Sequence, residues 1–251
     1  MTYDLCITAV SERADLFVES VESLLGYLDE QPACILVHED VRAPYLDGQI
    51  AAWLERATRE ERIESFTHRV CDPNRGMGAG MLWCFEQSEA DIILYSQEDW
   101  KAVRDIPVRR ALELMTAHGL NHIRFNKRKT MRSKHADTDH PWHKLEVVVG
   151  GQMLCVADHW YTQTSLWRRE AALPNLHAAL AGTGASSEKF VARFNTLMNQ
   201  DAQLTARDWN DQQLRHARSK TYIWGPVGEP AFIRHIGSER GTGTIRDHRG
   251  A

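Results

Sequence analysis

Asp91-Ile92-Ile93-Leu94-Tyr95-Ser96-Gln97-Glu98-Asp99-Trp100 is the stretch that decides the fold. Its apolar run is short, continuous and rich in β-branched and aromatic residues, which predicts a strand covered on both faces, as in a parallel sheet. In open parallel sheets ligands bind beyond the carboxyl ends of the strands. Glu98 and Asp99 stand at that place, and their hard oxygen atoms suit Mg²⁺ or Mn²⁺ shared with phosphate groups. Taken alone, the pair also reads as a solvated acidic turn.

Working back toward the amino terminus, the strand recurs in alternation with helices. Tyr3 to Val10 is β-rich, Ala14 to Tyr27 sets Leu16, Phe17, Val21, Leu24 and Leu25 at helical spacing, and Ala33 to His38 is a second apolar run. A helix from about Gly48 to Ala57, a short strand from Phe66 to Cys71 and a helix from about Gly78 to Gln87 complete the approach to Asp91. Strand and helix in turn argue for α/β architecture with a parallel sheet and right-handed crossovers. The strand ends then gather Ser11 to Arg13, His38 to Asp40, Asn74 to Gly80 and Gln97 to Trp100. The glycines of Asn74-Arg75-Gly76-Met77-Gly78-Ala79-Gly80 permit close backbone approach at a helix start, where anions are favoured.

Toward the carboxyl terminus the pattern is less regular. A helix from Pro107 to Gly119 and a strand from Asn121 to Phe125 are followed by a polar loop, 126–144. Beyond it Leu145 to Val156 is β-like, Leu166 to Leu180 and Glu188 to Met198 are read as helices, and Thr221 to Trp224 and Ala231 to Ile236 as short strands. The stretch 237–251 has no periodicity and reads as a flexible tail. The expected organisation is one domain with a nucleotide-binding half, 1–100, and an α+β acceptor-side half, 101–236.

Charge supports that division. The net charge is −4, yet residues 1–100 carry 7 Arg, no Lys and 20 acids, and the remainder carries 23 bases and 14 acids. The halves thus stand at −13 and +9, which suggests different ligands for each. Five cysteines, Cys6, Cys34, Cys71, Cys84 and Cys155, are odd in number and without CxxC spacing, so they read as reduced core residues of a cytoplasmic protein rather than a disulfide or zinc framework. No run reaches the roughly 18 apolar residues of a membrane span. A dinucleotide fingerprint is missing after the first strand, where the chain reads Ala9-Val10-Ser11-Glu12-Arg13, and no GK[ST] loop is present.

These residues together resemble the nucleotide-binding half of the GT-A glycosyltransferases, close to family 2. The resemblance rests on TAVSER ending the first strand, HED ending the second, NRGMGAG opening a helix and QEDW ending the fourth strand, over about residues 3 to 100. It implies a metal-dependent transferase that takes a sugar from a nucleotide-sugar donor, most simply a UDP-sugar. By resemblance Gln97-Glu98-Asp99 stands at the DxD motif, with Asp99 as the metal-binding acid and Gln97 in place of the usual first Asp. Glu39 or Asp40 matches the acid that contacts nucleobase or ribose, and Ser11, Arg13, Asn74, Gly78, Gln97 and Glu98 fall in the donor-binding segments. Ser187-Glu188-Lys189-Phe190 is similar to the xED region, which makes Glu188 the implied general base, with Lys189 where an Asp is usual. Arg234-His235-Ile236-Gly237 resembles the carboxyl-terminal His-Gly motif and makes His235 a second metal ligand.

The loop 126–144 concentrates the positive charge. Between Arg124 and Lys144 lie seven bases against Asp137 and Asp139, with Trp142 and three histidines. Lys127, Arg128 and Lys129 suit an anionic acceptor such as DNA or a phosphorylated glycan, and Trp142 and Trp167 offer faces for stacking. The histidine spacing matches no zinc motif. Two functions follow: a glycosyltransferase with a hydroxyl acceptor, or a nucleic-acid-binding protein on a degenerate transferase scaffold. A phage-type glycosyltransferase of hydroxymethylated DNA bases joins both.

Overall fold

The computed structural model describes residues 2–41, 48–127, 145–157, 160, 163–183, 187–205 and 211–237, with the backbone alone at 187 and 188. Arg128, Lys129 and Trp142, three of the expected acceptor residues, lie outside them, as does the carboxyl-terminal stretch from 238.

The first half follows the expected alternation: β1 (Asp4–Val10), a 3₁₀ turn (Ser11–Arg13), α1 (Ala14–Tyr27), β2 (Cys34–Asp40), α2 (Gln49–Arg59), β3 (Phe66–Cys71), α3 (Met77–Gln87) and β4 (Ile92–Gln97). The second half adds β5 (Trp100–Ala102), α4 (Val108–His118), β6 (His122–Arg124), β7 (Glu146–Val149), β8 (Gln152–Val156), β9 (Ser165–Arg168), α5 (Arg169–Ala181), α6 (Ser187–Asp201), α7 (Gln212–Arg218), β10 (Thr221–Trp224) and β11 (Ile233–His235).

A nine-stranded sheet runs β3-β2-β1-β4-β9-β6-β10-β8-β7, and β5 pairs with β11 in a separate two-stranded ribbon. The block β3-β2-β1-β4 is parallel throughout. β9 enters antiparallel between β4 and β6, so both halves of the chain share one sheet.

Cover on both faces explains why the central strands are buried at nearly every position. Leu5 and Ile7 of β1, Ile35 and Val37 of β2 and Ile92 and Leu94 of β4 face a core completed by Phe17 of α1, Trp53 of α2 and Leu112 of α4. Cys6, Leu36, Ile93 and Tyr95 face the opposite core, closed by Met81, Cys84 and Phe85 of α3, Leu176 of α5 and Phe194 of α6. With both faces covered, each fully buried Leu, Ile or Val contributes roughly 1.5–3 kcal/mol.

Two expectations are corrected here. Leu166 to Leu180 is not one helix: Ser165–Arg168 is a strand, and the helix begins at Arg169. A short buried apolar run carries no periodicity that separates strand from helix. Trp167 consequently lies in the core, 0% exposed, its indole N–H donating to Ser165 Oγ at 2.7 Å, its ring among Phe85, His122, Trp160 and Phe194. It has no face for an acceptor.

Candidate active site

The carboxyl ends of β1, β2 and β4 lie side by side, and each contributes charge. β4 stops at Gln97 and the chain turns through Glu98 and Asp99 into β5. The Glu98 backbone N–H donates to the Thr8 carbonyl at 3.2 Å, which keeps the turn against β1. Both acids are buried, at 8% and 7% exposure. Arg13, held on the 3₁₀ turn after β1, sets its Nη1 at 3.2 Å from Glu98 Oε1 and 3.4 Å from Asp99 Oδ2. Burial first, and the Asp99 charge second, push the Glu98 carboxyl up to about 7, while Arg13 opposes both.

The β5–β11 ribbon closes the site from the far end of the sequence. Pairing of His235 with Trp100 brings His235 Nε2 to 2.9 Å from Asp99 Oδ2, and the Ile236 N–H donates to the Asp99 carbonyl at 2.9 Å. Gly237 lies so close that an added Cβ would meet Asp99 Oδ2 at 2.8 Å. The other carboxylate oxygen, Asp99 Oδ1, is buried with no hydrogen-bond partner among the described residues. An orphaned anionic oxygen is costly unless a cation or donor meets it. A carboxylate with a free lone pair beside an imidazole fits a divalent ion of the Mn²⁺ class.

The remaining donor-side residues lie at the ends of β1, β2 and β4 and at the start of α3. Ser11 Oγ is 3.5 Å from the Asp40 carbonyl. Asp40 accepts the backbone N–H groups of Arg75 at 2.8 Å and Gly76 at 2.9 Å and faces His38 Nε2 at 3.2 Å. Burial alone would raise its carboxyl, but the hydrogen bonds from His38 and the two amides hold it below the usual carboxylate range. Glu39 points to the other side of β2 and lies 2.8 Å from His68 Nε2. Asn74 Oδ1 accepts from the Gly76 N–H at 2.7 Å, shaping the turn that opens α3. Gly78, in the first turn of that helix, packs under Phe190, whose ring an added Cβ would meet at 2.8 Å. Gln97 Nε2 reaches Met77 Sδ at 3.0 Å.

On the acceptor side, Glu188 is the second residue of α6, and Phe190, two residues on, fixes the start of that helix against α3. Lys127, the one expected acceptor base among the described residues, sets its ammonium 5.1 Å from the Trp100 ring, which also packs on His235 at 4.8 Å. The basic loop therefore leaves the sheet beside the Asp99–His235 pair. Asn126 anchors this exit through its carbonyl, which accepts from the Phe232 and Ile233 N–H groups. Sequence reading missed the Trp100–His235 pairing, whose three-residue strands are too short for an alternation signal; the adjacent Gly237 was the available clue. Two hollows of about 510 and 480 Å³ lie at the opposite ends of the strands, around Thr2 and Ala33, and include none of these residues.

No family model and no curated protein matches the chain in sequence. Solved structures do match. TarS of S. aureus superposes over 94% of this chain and 37% of its own, with a TM-score of 0.56 and 12% identity. The mannosyltransferase PcManGT of Pyrobaculum calidifontis, in complex with GDP-Man and Mn²⁺, matches over 88% of this chain and 56% of its own, with a TM-score of 0.51 and 11% identity. The fold is that of the GT-A glycosyltransferases. A form of TarS, 1–349, in complex with UDP-GlcNAc shares this GT-A architecture over 95% of the present chain and 61% of its own, at a TM-score of 0.50 and 13% identity. The chain thus spans about two fifths to three fifths of the length of these GT-A structures. No helix among its described residues is long and apolar enough to cross a membrane.

Proposed function

We propose that the protein is a metal-dependent glycosyltransferase that moves a sugar from a nucleotide-sugar donor, a UDP-sugar first among them, to a hydroxyl acceptor. One observation carries this reading: the orphaned Oδ1 of buried Asp99, with His235 Nε2 beside its partner oxygen, at the carboxyl end of β4 in a GT-A fold. Asp99 and His235 would hold Mn²⁺ or Mg²⁺. When bound, that ion offsets the charge that develops on the departing nucleoside diphosphate. Arg13 offsets part of the negative charge of Glu98 and Asp99. The first turn of α3 would offer backbone N–H groups to the donor, and Asp40, which accepts the Arg75 and Gly76 N–H groups, supports the turn that opens it. Glu39, Ser11 and Gln97 line the nucleoside side.

The acceptor oxygen attacks the anomeric carbon, the bond from that carbon to the diphosphate oxygen breaks, and the acceptor proton passes to Glu188 as general base. Lys127, with Arg128, Lys129 and Trp142, would receive an anionic acceptor, DNA or a phosphorylated glycan, in line with the ammonium of Lys127 beside Trp100. The test is release of nucleoside diphosphate from UDP-GlcNAc, UDP-glucose and GDP-mannose, with Mn²⁺ and with chelator. Metal-dependent release, lost in Asp99→Asn, is expected. No release from any donor, together with salt-sensitive DNA binding, would leave the nucleic-acid-binding alternative instead.

A further inference from the structure

We propose that His38, Asp40 and Cys71 form a second, separate metal site, buried between the ends of β2 and β3, that takes a borderline-soft divalent ion of the Zn²⁺ class. The site follows from register. Asp40 and Cys71 are direct partners across the parallel β2–β3 ladder, and His38 lies two residues before Asp40 on the same face. One ligand atom from each residue lies within 4.8 Å of the other two, and all three residues are buried. The 3.2 Å between His38 Nε2 and Asp40 Oδ1 is close to the edge of a tetrahedron built from metal–N and metal–O bonds of about 2.0–2.2 Å.

Charge and support agree with an ion at this point. A thiolate and a carboxylate balance a doubly charged cation while the imidazole stays neutral, as a buried position requires. Asp40 is oriented by the Arg75 and Gly76 amides, the outer hydrogen bonding that ligating carboxylates use. The imidazole is fixed by close approach of Gly80, whose added Cβ would meet His38 Cδ2 at 2.7 Å, and by the Trp83 ring at 5.9 Å. A nucleophilic Cys-His-Asp relay would place the acid and the sulfur at opposite ring nitrogens. Here Asp40 faces Nε2, His38 Nδ1 is buried without a partner among the described residues, and the sulfur is near the carboxylate as well as the ring, so the groups converge on a point. In the nine-stranded sheet β1 lies between β2 and β4, the strand that leads to Asp99, and the cluster's mixed S, N and O set differs from the oxygen and imidazole of Asp99 and His235. The ion would tie the ends of β2 and β3 to the turn that opens α3.

The probe is Co²⁺, supplied during expression of the full chain. The Asp99→Ala/His235→Ala double variant should retain about one equivalent, with a near-ultraviolet thiolate-to-cobalt band and the visible bands of a tetrahedral ion, and Zn²⁺ should displace it. Cys71→Ser should abolish the thiolate band. Absence of the band in the parent chain, or its survival in Cys71→Ser, would overturn the site, because the sulfur would then be absent or another cysteine. If circular dichroism shows Cys71→Ser unfolded, His38→Gln takes its place: at least tenfold weaker cobalt retention supports the site, and unchanged retention overturns it.

Discussion

Glu98 is where burial and a neighbouring like charge act together, against Arg13. Its carboxyl is raised from 4.5 to about 7 by burial and by Asp99. A folded state that binds its proton more tightly than the unfolded chain gains stability below the unfolded value and loses it as pH rises toward 7. In chelator, Glu98→Gln should therefore flatten the decline of melting temperature between pH 4.5 and 7 and stabilise the protein at pH 8, by on the order of 1–3 kcal/mol. An unchanged pH profile would contradict the buried, repelled carboxylate. The acids of this site were legible in the sequence because they follow an apolar strand directly. Their partners were reached only through the family resemblance, which made His235 a second metal ligand and put Arg13 on the donor side; that both meet on Oδ2, from 136 and 86 residues away, is shown by folding alone. Trp167 shows the converse, an aromatic whose sequence position suggested a binding face and whose burial in a central strand gives it none.

The elements that position the site depend on close approaches, and two glycines allow these to be tested against each other. Gly26 lies in α1 with nothing within 4 Å of an added Cβ. Gly26→Ala should stabilise by about 0.4–1 kcal/mol, since alanine restricts the unfolded chain and favours helix. Gly78→Ala drives a methyl into Phe190, which stacks on Phe194 at 6.1 Å, and should destabilise by about 1–3 kcal/mol through displacement of α6 from α3. Urea unfolding of both variants checks the pair, and equal effects would contradict the packing of α6 on the glycine-rich start of α3. Helical spacing marked α1 to its ends, and β3 and β10 were read with the bounds they have. β9 was read as helix because a four-residue strand with three buried residues carries no period, and α7 and β5 were too short to register.

At the scale of the molecule, the split of charge between an acidic first half and a basic second half is spanned by one sheet, because β9 returns to lie against β4. The acidic half ends at Asp99, and the basic loop begins at Lys127 beside Trp100, so opposite charges converge on one place. Replacing Lys127, Arg128 and Lys129 by Ala should raise the KM for an anionic acceptor and reduce its salt dependence, with donor hydrolysis unchanged. Equal loss of both would place these bases at the donor. The parallel α/β half was readable from alternation alone, whereas the mixed second half follows from long-range pairing that no local pattern encodes. The most direct test of the account is calorimetric titration of UDP and GDP into the protein with Mn²⁺ and with chelator, in parent and Asp99→Ala chains. Nucleoside diphosphate binding should require Mn²⁺ in the parent and be lost in Asp99→Ala; binding of equal strength with chelator, or undiminished in Asp99→Ala, would rule out a metal held by Asp99 at the donor site.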